Sequence, residues 1–262
     1  MVKQRTLLAV AIVATMLWSS LTHAQEITVA AAADLQFAFQ EVAARFEHET
    51  GNKVKLIFGS SGNFFTQIQN GAPFDVFFSA DSDYPKKLEA AGLVEAGTFY
   101  EYAVGKIVLW IPKDSTLDLR PGLAALLDPR VKKVAIANPE HAPYGRAAVS
   151  ALEHEQIYEK IRDKLILGEN ISQAASFVTS GSADAGIVAF SLALAPSMRE
   201  QGRYVQIPSQ DYPPIRQAAA ILKSSQQKSL ARQFLEYVKG PSVIELLKTY
   251  GFSPPPVAAS AR

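Results

Sequence analysis

Four times along this chain a short apolar run that reads as a strand gives way to small or polar residues and then to helical periodicity. The turns fall at residues 31–34, 59–62, 143–145 and 170–172. Strands alternating with helices in this way fold as α/β structures with a largely parallel sheet. In open α/β sheets, ligands collect beyond the carboxyl ends of the strands. Helix N-termini brought together there offer free backbone N–H groups and the positive ends of helix dipoles, which suits an anion without any basic side chain. Each turn alone says little, because short strand-to-helix loops look alike. Two in each half of the chain point to a bilobed, anion-binding cleft.

The first turn is the most informative. Residues 27–33 (ITVAAAA) read as a strand, and Leu35, Ala38, Phe39, Val42, Ala43 and Phe46 recur at helical spacing. Asp34 stands between them as the expected N-cap. A carboxylate there either caps the helix or takes part in choosing the ligand. Further strands are expected over 54–58, 74–78, 104–111, 134–137, 165–167, 185–190 and 218–222. Helices are expected after the turn at 59–62, over 85–91 and 146–154, from Asn170 onward, and over 230–239 and 243–250. Ser60 and Ser61 bring hydroxyls as well as N–H groups, one of them as an N-cap. Tyr144, between Pro143 and Gly145, is expected on a turn, where its phenol either donates into the cleft or lies exposed. Arg146 reads as a solvated surface cation, and Asp81 and Asp83 as helix caps.

The start of the chain reads as a secretion signal. Lys3 and Arg5 precede an apolar run from Leu7 to Trp18, and Thr22-His23-Ala24 offers small residues for cleavage, so the mature chain is expected to begin at Gln25. Removing Lys3 and Arg5, with no acidic residue, turns the formal charge of +1 into −1. A near-neutral chain gives no electrostatic case for nucleic acid or an anionic membrane. The chain has no cysteine, which excludes disulfides and thiolate metal sites. The remainder is long enough for two lobes of roughly a hundred residues each.

Catalytic motifs are missing. Gly59-Ser60-Ser61-Gly62-Asn63 fails the nucleophile-elbow pattern at its fifth position. There is no phosphate-loop lysine and no dinucleotide glycine fingerprint. His48, His141 and His154 lack partners at metal-ligand spacing. The residues support neither an enzyme nor a cofactor.

Taken together, ITVAAAADL (27–35), FGSSGNF (58–64), GAPFDVFFSAD (71–81), ANPEHAPYG (137–145), GIVAF (186–190) and KGPSVIELLKTYGF (239–252) make a recognisable set. The chain resembles the periplasmic molybdate-binding proteins of ABC importers over almost all of its mature length. The resemblance implies two lobes of the type II-like periplasmic-binding-protein fold, each a mixed, mainly parallel sheet flanked by helices. One lobe would comprise residues 25–104 plus 218–262 and the other 105–217, with the hinge near 103–106 and 215–218. It further implies a periplasmic, monomeric, non-enzymatic receptor that closes on molybdate or tungstate and presents it to an inner-membrane permease. Carried over by position, Ala33, Asp34 and Ser61 from one lobe and Tyr144 and the N–H of Ile171 from the other would hold the oxyanion. They would do so through hydrogen bonds, with no metal-style coordination.

Two positions depart from the family. Position 189, a ligand-binding tyrosine in some members, is alanine here, and Tyr144 would replace its hydroxyl from the opposite turn. The Asp34 position commonly holds a neutral donor. Two unit charges about 5 Å apart at an effective dielectric of about 20 repel by about 3 kcal/mol, and a dianion doubles this. Every 1.4 kcal/mol is about tenfold in affinity. Three resolutions stand: Asp34 turns back onto its own helix amides, it is protonated and donates to the ligand, or the ligand is not a plain dianion. Within the same lobes, a different small ligand, a sensor-coupled binding module or a periplasmic enzyme are the alternative functions.

Overall fold

The first strand, β1 (Glu26–Ala32), divides its side chains between two cores, as a pleat of period two requires. Ile27, Val29 and Ala31 enter one cluster and Ala30 another. The computed structural model describes residues 24–256. The export segment expected over 1–24 lies outside the described residues except for Ala24. A 3-10 turn, Ala33–Leu35, follows β1 and leads into α1 (Gln36–Thr50), which buries Ala38, Phe39, Val42, Ala43 and Phe46, the residues picked out by helical spacing. Gly51 ends α1 at φ 73°, a left-handed conformation that glycine adopts without steric penalty, and its N–H returns to the Glu47 carbonyl at 2.9 Å.

The first pass continues through β2 (Lys53–Gly59), α2 (Ser61–Gln69), β3 (Val76–Ser79), α3 (Asp83–Ala90) and β4 (Tyr100–Gly105). At Lys106 the chain crosses to β5 (Ile107–Pro112) and builds β6 (Val134–Ala137), α4 (Pro143–His154), β7 (Leu165–Gly168), α5 (Ile171–Thr179), β8 (Ala185–Ala189), the short α6 (Phe190–Ala193) and β9 (Gly202–Gln206). Residues 207–214 lead back to β10 (Ile215–Ile221), followed by α7 (Lys228–Val238) and α8 (Pro241–Thr249).

Two five-stranded sheets result, one ordered β2-β1-β3-β10-β4 and the other β7-β6-β8-β5-β9. Both are mixed. β1 runs parallel to β2 and β3, and β6 parallel to β7 and β8. β10 is antiparallel to β3 and β4, and β5 to β8 and β9. The molecule is therefore a two-lobed α/β structure. The single strand expected over 104–111 is in fact two, because β4 pairs with β10 while β5 pairs in the other sheet. The apolar run hides this break, since both strands are largely buried and only Lys106 interrupts them. The strand β9 was not foreseen either; it is a half-exposed edge without an apolar run.

Each lobe has its own core. In the first, Phe39, Phe78, Phe46 and Phe234 meet edge-on, with centroids 4.7 Å apart for Phe39–Phe78 and 5.2 Å for Phe46–Phe234. Such pairs add about 0.5–1.5 kcal/mol each beyond their area burial. The opposite face of this sheet is closed by Phe64, Ile68 and Leu88 against Phe77. In the second lobe Leu109, Trp110, Ile136, Ile187 and Val188 form the centre. Burial on both faces explains why the strands read as continuous apolar runs.

Candidate functional site

The parallel strands of both lobes end toward one another, and the turns that follow them enclose a small cavity. From the first lobe it is lined by Ala32–Asp34, Gly59–Ser61 and Ala80, and from the second by Ala142–Tyr144, Asn170 and Ile171. Ala33, Asp34, Ser61, Tyr144 and Ile171, named from the sequence, thus come together around a single space. Three helical starts meet here. Ser60 caps α2, its hydroxyl accepting the Asn63 N–H at 3.3 Å, and Asn170 caps α5 by accepting the Gln173 N–H at 3.0 Å. Pro143 opens α4. First-turn N–H groups have no partner within their own helix, so those of Ser61 and Ile171 are free for an acceptor. Ser61 Oγ accepts the Ala80 N–H at 2.9 Å, which leaves its hydroxyl proton to donate.

Asp34 does not cap α1. Its side chain makes no capping bond, because the 3-10 turn carries the chain past the cap position before the α-helix starts. Its Oδ2 instead accepts the Tyr144 hydroxyl at 2.9 Å and Gln217 Nε2 at 2.7 Å. Gln217 Nε2 also lies 3.0 Å from the Tyr144 oxygen, and the Tyr102 hydroxyl donates to Gln217 Oε1 at 2.8 Å. The Tyr102 bond orients the amide, so that Gln217 Nε2 and the Tyr144 hydroxyl both aim at Asp34. Close approach makes this possible: a Cβ at Gly105 would lie 2.1 Å from the Tyr144 hydroxyl. Tyr144 itself sits in the first turn of α4, 2 % exposed, with its phenol engaged by Asp34. It is neither on a turn nor free in solvent.

Asp34 is 1 % exposed, and its Oδ1 is buried with no hydrogen-bond partner. Burial pushes its carboxyl up to about 6, and the bonds from Gln217 and Tyr144, with a smaller pull from its own backbone N–H, offset only part of that rise. Burial also pushes the Tyr102 and Tyr144 phenols well above their ordinary range, with the Asp34 charge adding to it. Both tyrosines therefore remain neutral donors.

The lobes are closed on each other around this cavity. The Gly62 N–H donates to the His141 carbonyl at 2.9 Å, and a Cβ at Gly62 would lie 2.6 Å from that oxygen. The Ser191 hydroxyl donates to the Asp34 carbonyl at 2.7 Å, and Ser172 Oγ lies 3.0 Å from the Ala33 carbonyl. Arg146, expected in solvent, instead pairs with Asp81 of the opposite lobe at 2.6 Å. Asp81 also accepts the Asp83 N–H at 2.9 Å, so it serves the start of α3 and the lobe contact together.

Gln217, Tyr102 and Ser191 escaped the sequence reading. Gln217 is the one polar side chain buried within β10, and that burial in an apolar run is the signal that could have found it. At the far end of α4, His154, Glu155 and Asp211 come within 4.8 Å of one another, a grouping that sequence spacing does not reveal.

Residues 27–253 match the family model described as bacterial extracellular solute-binding protein. The molybdate-binding protein ModA of Azotobacter vinelandii is 41% identical, over 88% of this chain and 90% of that one. ModA of Rhodobacter capsulatus is 38% identical, over 87% and 88% respectively. The solved structure of the Azotobacter vinelandii periplasmic molybdate-binding protein superposes with a TM-score of 0.83 at 35% identity, covering 87% of this chain and 99% of that one. These relatives are named for binding and not for a reaction. With its two α/β lobes and a cavity between them, the chain belongs to the bacterial extracellular solute-binding protein family.

Proposed function

We propose that this protein captures molybdate, as a tetrahedral oxyanion, between its lobes and delivers it to an inner-membrane ABC importer. One observation carries the reading: a cavity shared by both lobes, lined by helix-start amides, Ser61, Tyr144 and the Asp34 carboxyl, with no cationic side chain in its wall. A tetrahedral oxyanion presents acceptors in every direction, so donors from both lobes enclose it only when the lobes close. Ala33, Asp34, Ser61, Tyr144 and the Ile171 N–H are the groups assigned to hold it. The names of the relatives at 41% and 38% identity support molybdate as the ligand.

The moving bodies are residues 25–104 with 218–262, and residues 105–217, pivoting near 103–106 and 215–218. The passages of the chain between the sheets, at Lys106 and over 207–214, support that division to within a few residues, since Gly105 and Ile215–Gln217 lie in strands of the first sheet. The receptor acts as a monomer in the periplasm after loss of residues 1–24.

Thermal unfolding and calorimetry with molybdate, tungstate, sulfate and phosphate test the reading. Ligand at about a thousand times its Kd stabilises the folded state by about 4 kcal/mol. For a chain of this size that raises Tm by about 8–16 °C. Molybdate and tungstate are expected to produce this rise, and sulfate and phosphate to leave Tm unmoved. No shift with any of them overturns the proposal.

A further inference from the structure

Asp34 Oδ2 is fully used. It accepts from Tyr144 at 2.9 Å and from Gln217 at 2.7 Å, which occupies both of its lone pairs. Its other oxygen, Oδ1, is buried without a partner in a side chain that lines the cavity. Resting on the oxyanion reading of that cavity, we infer that Asp34 holds the ligand as a neutral acid. Oδ1 carries a proton and donates it in a hydrogen bond to an oxyanion oxygen, so each capture takes up one proton from solvent.

The hydrogen-bond inventory favours this form over the ionised one. A carboxylate is acceptor-only, and against an oxyanion it sets acceptor facing acceptor and charge facing charge. Protonated on Oδ1, the same group is matched on both sides. Oδ2 keeps the two donors it already has, and Oδ1–H gains the acceptor it lacks. Neutral groups face Asp34 from every element packed on it. These are Tyr144 from α4, Gln217 from β10 and, through Gln217, Tyr102 from β4. Ser191 from α6 donates to its carbonyl, and the α2 and α5 groups of the cavity wall are Ser61 and Ile171. Among the described residues no lysine, arginine or histidine contributes to its titration. Burial already holds the carboxyl at about 6 against the lowering by its hydrogen bonds, and a bound anion lifts it further.

The direction of the pH effect follows. Below the pKa of the free protein Asp34 is already protonated, and affinity is independent of pH. Above it, binding must supply a proton, so affinity falls about tenfold per pH unit until the pKa of the bound state is reached.

Titration calorimetry of the full exported protein with molybdate, in buffers of differing ionisation enthalpy from about pH 5 to about pH 8, reads both quantities. The expected result is about one proton taken up per molybdate near pH 8 and close to none near pH 5, with Kd weakening by about tenfold per unit above about pH 6. Asp34→Asn places an amide N–H where the acid proton would be; it is expected to lose both the proton uptake and the slope. Tight molybdate binding by the wild type with no proton uptake overturns the inference and leaves the receptor reading intact. Proton uptake that persists in Asp34→Asn also overturns it, because the proton then resides elsewhere. If the wild type binds no molybdate at any pH, the receptor reading fails and the inference falls with it. The wild-type proton count stands even if the variant does not fold.

Discussion

Asp34 is buried without a counter-charge, and its folded-state pKa is raised from 3.8 to about 6. A raised carboxyl binds more protons folded than unfolded. Its contribution is therefore fully present below about pH 4 and is lost as pH rises through about 6, at a total of about 3 kcal/mol. Asp34→Asn removes that dependence. Urea unfolding without ligand is expected to show the variant gaining on the wild type by up to about 3 kcal/mol between about pH 4 and pH 7. Equal pH profiles for the two proteins would contradict the assignment. At this scale the sequence was legible where chemistry follows from position. The turns pointed to Asp34, Ser61 and Tyr144, the family resemblance added Ala33 and Ile171, and the fold gathers all five at one cavity. Gln217 was not legible, because it lies 183 residues from Asp34 in sequence and only strand pairing brings them together.

At the scale of elements, closure depends on helix starts that meet across the lobes. In the first turn of α2, Gly62 touches the His141 carbonyl from the opposite lobe with no room for a methyl group. Alanine suits a helix better than glycine by about 1 kcal/mol, so Gly62→Ala leaves the lobe itself sound. The clash arises only on closure. Molybdate affinity is expected to fall by at least about tenfold in calorimetry, equivalent to about 1.4 kcal/mol, while the ligand-free Tm holds or rises. Unchanged affinity would show that the closed contact is not part of binding. Helices and buried strands were legible at this scale because spacing and apolar runs report burial directly. The division of 104–111 into β4 and β5 was not, because a strand that leaves one sheet for another keeps the same apolar character through the crossing.

The whole molecule places one set of parallel strands against another and joins them by two passages, so donors from distant parts of the chain meet only when the lobes are shut. Arg146 on α4 reinforces this state through Asp81, although its side chain is 39% exposed and such pairs contribute about 1 kcal/mol at most. The Gly62–His141, Ser191–Asp34 and Tyr144–Asp34 contacts add to it across the same seam. The alternation of strands and helices made the two-lobed α/β plan readable from the sequence. The closed geometry was not readable, since it rests on pairings such as Gly62 with His141 and Asp34 with Tyr144 that no local pattern encodes. A crystal structure of the molybdate complex, with anomalous data at the molybdenum edge, tests the central claim most directly. The account predicts one strong peak in the interlobe cavity, its oxygens within hydrogen-bond distance of Asp34 Oδ1, Ser61 Oγ and the Ile171 N–H, with the Tyr144 hydroxyl still donating to Asp34 Oδ2. A peak elsewhere, or a saturated protein with no peak in that cavity, would contradict it.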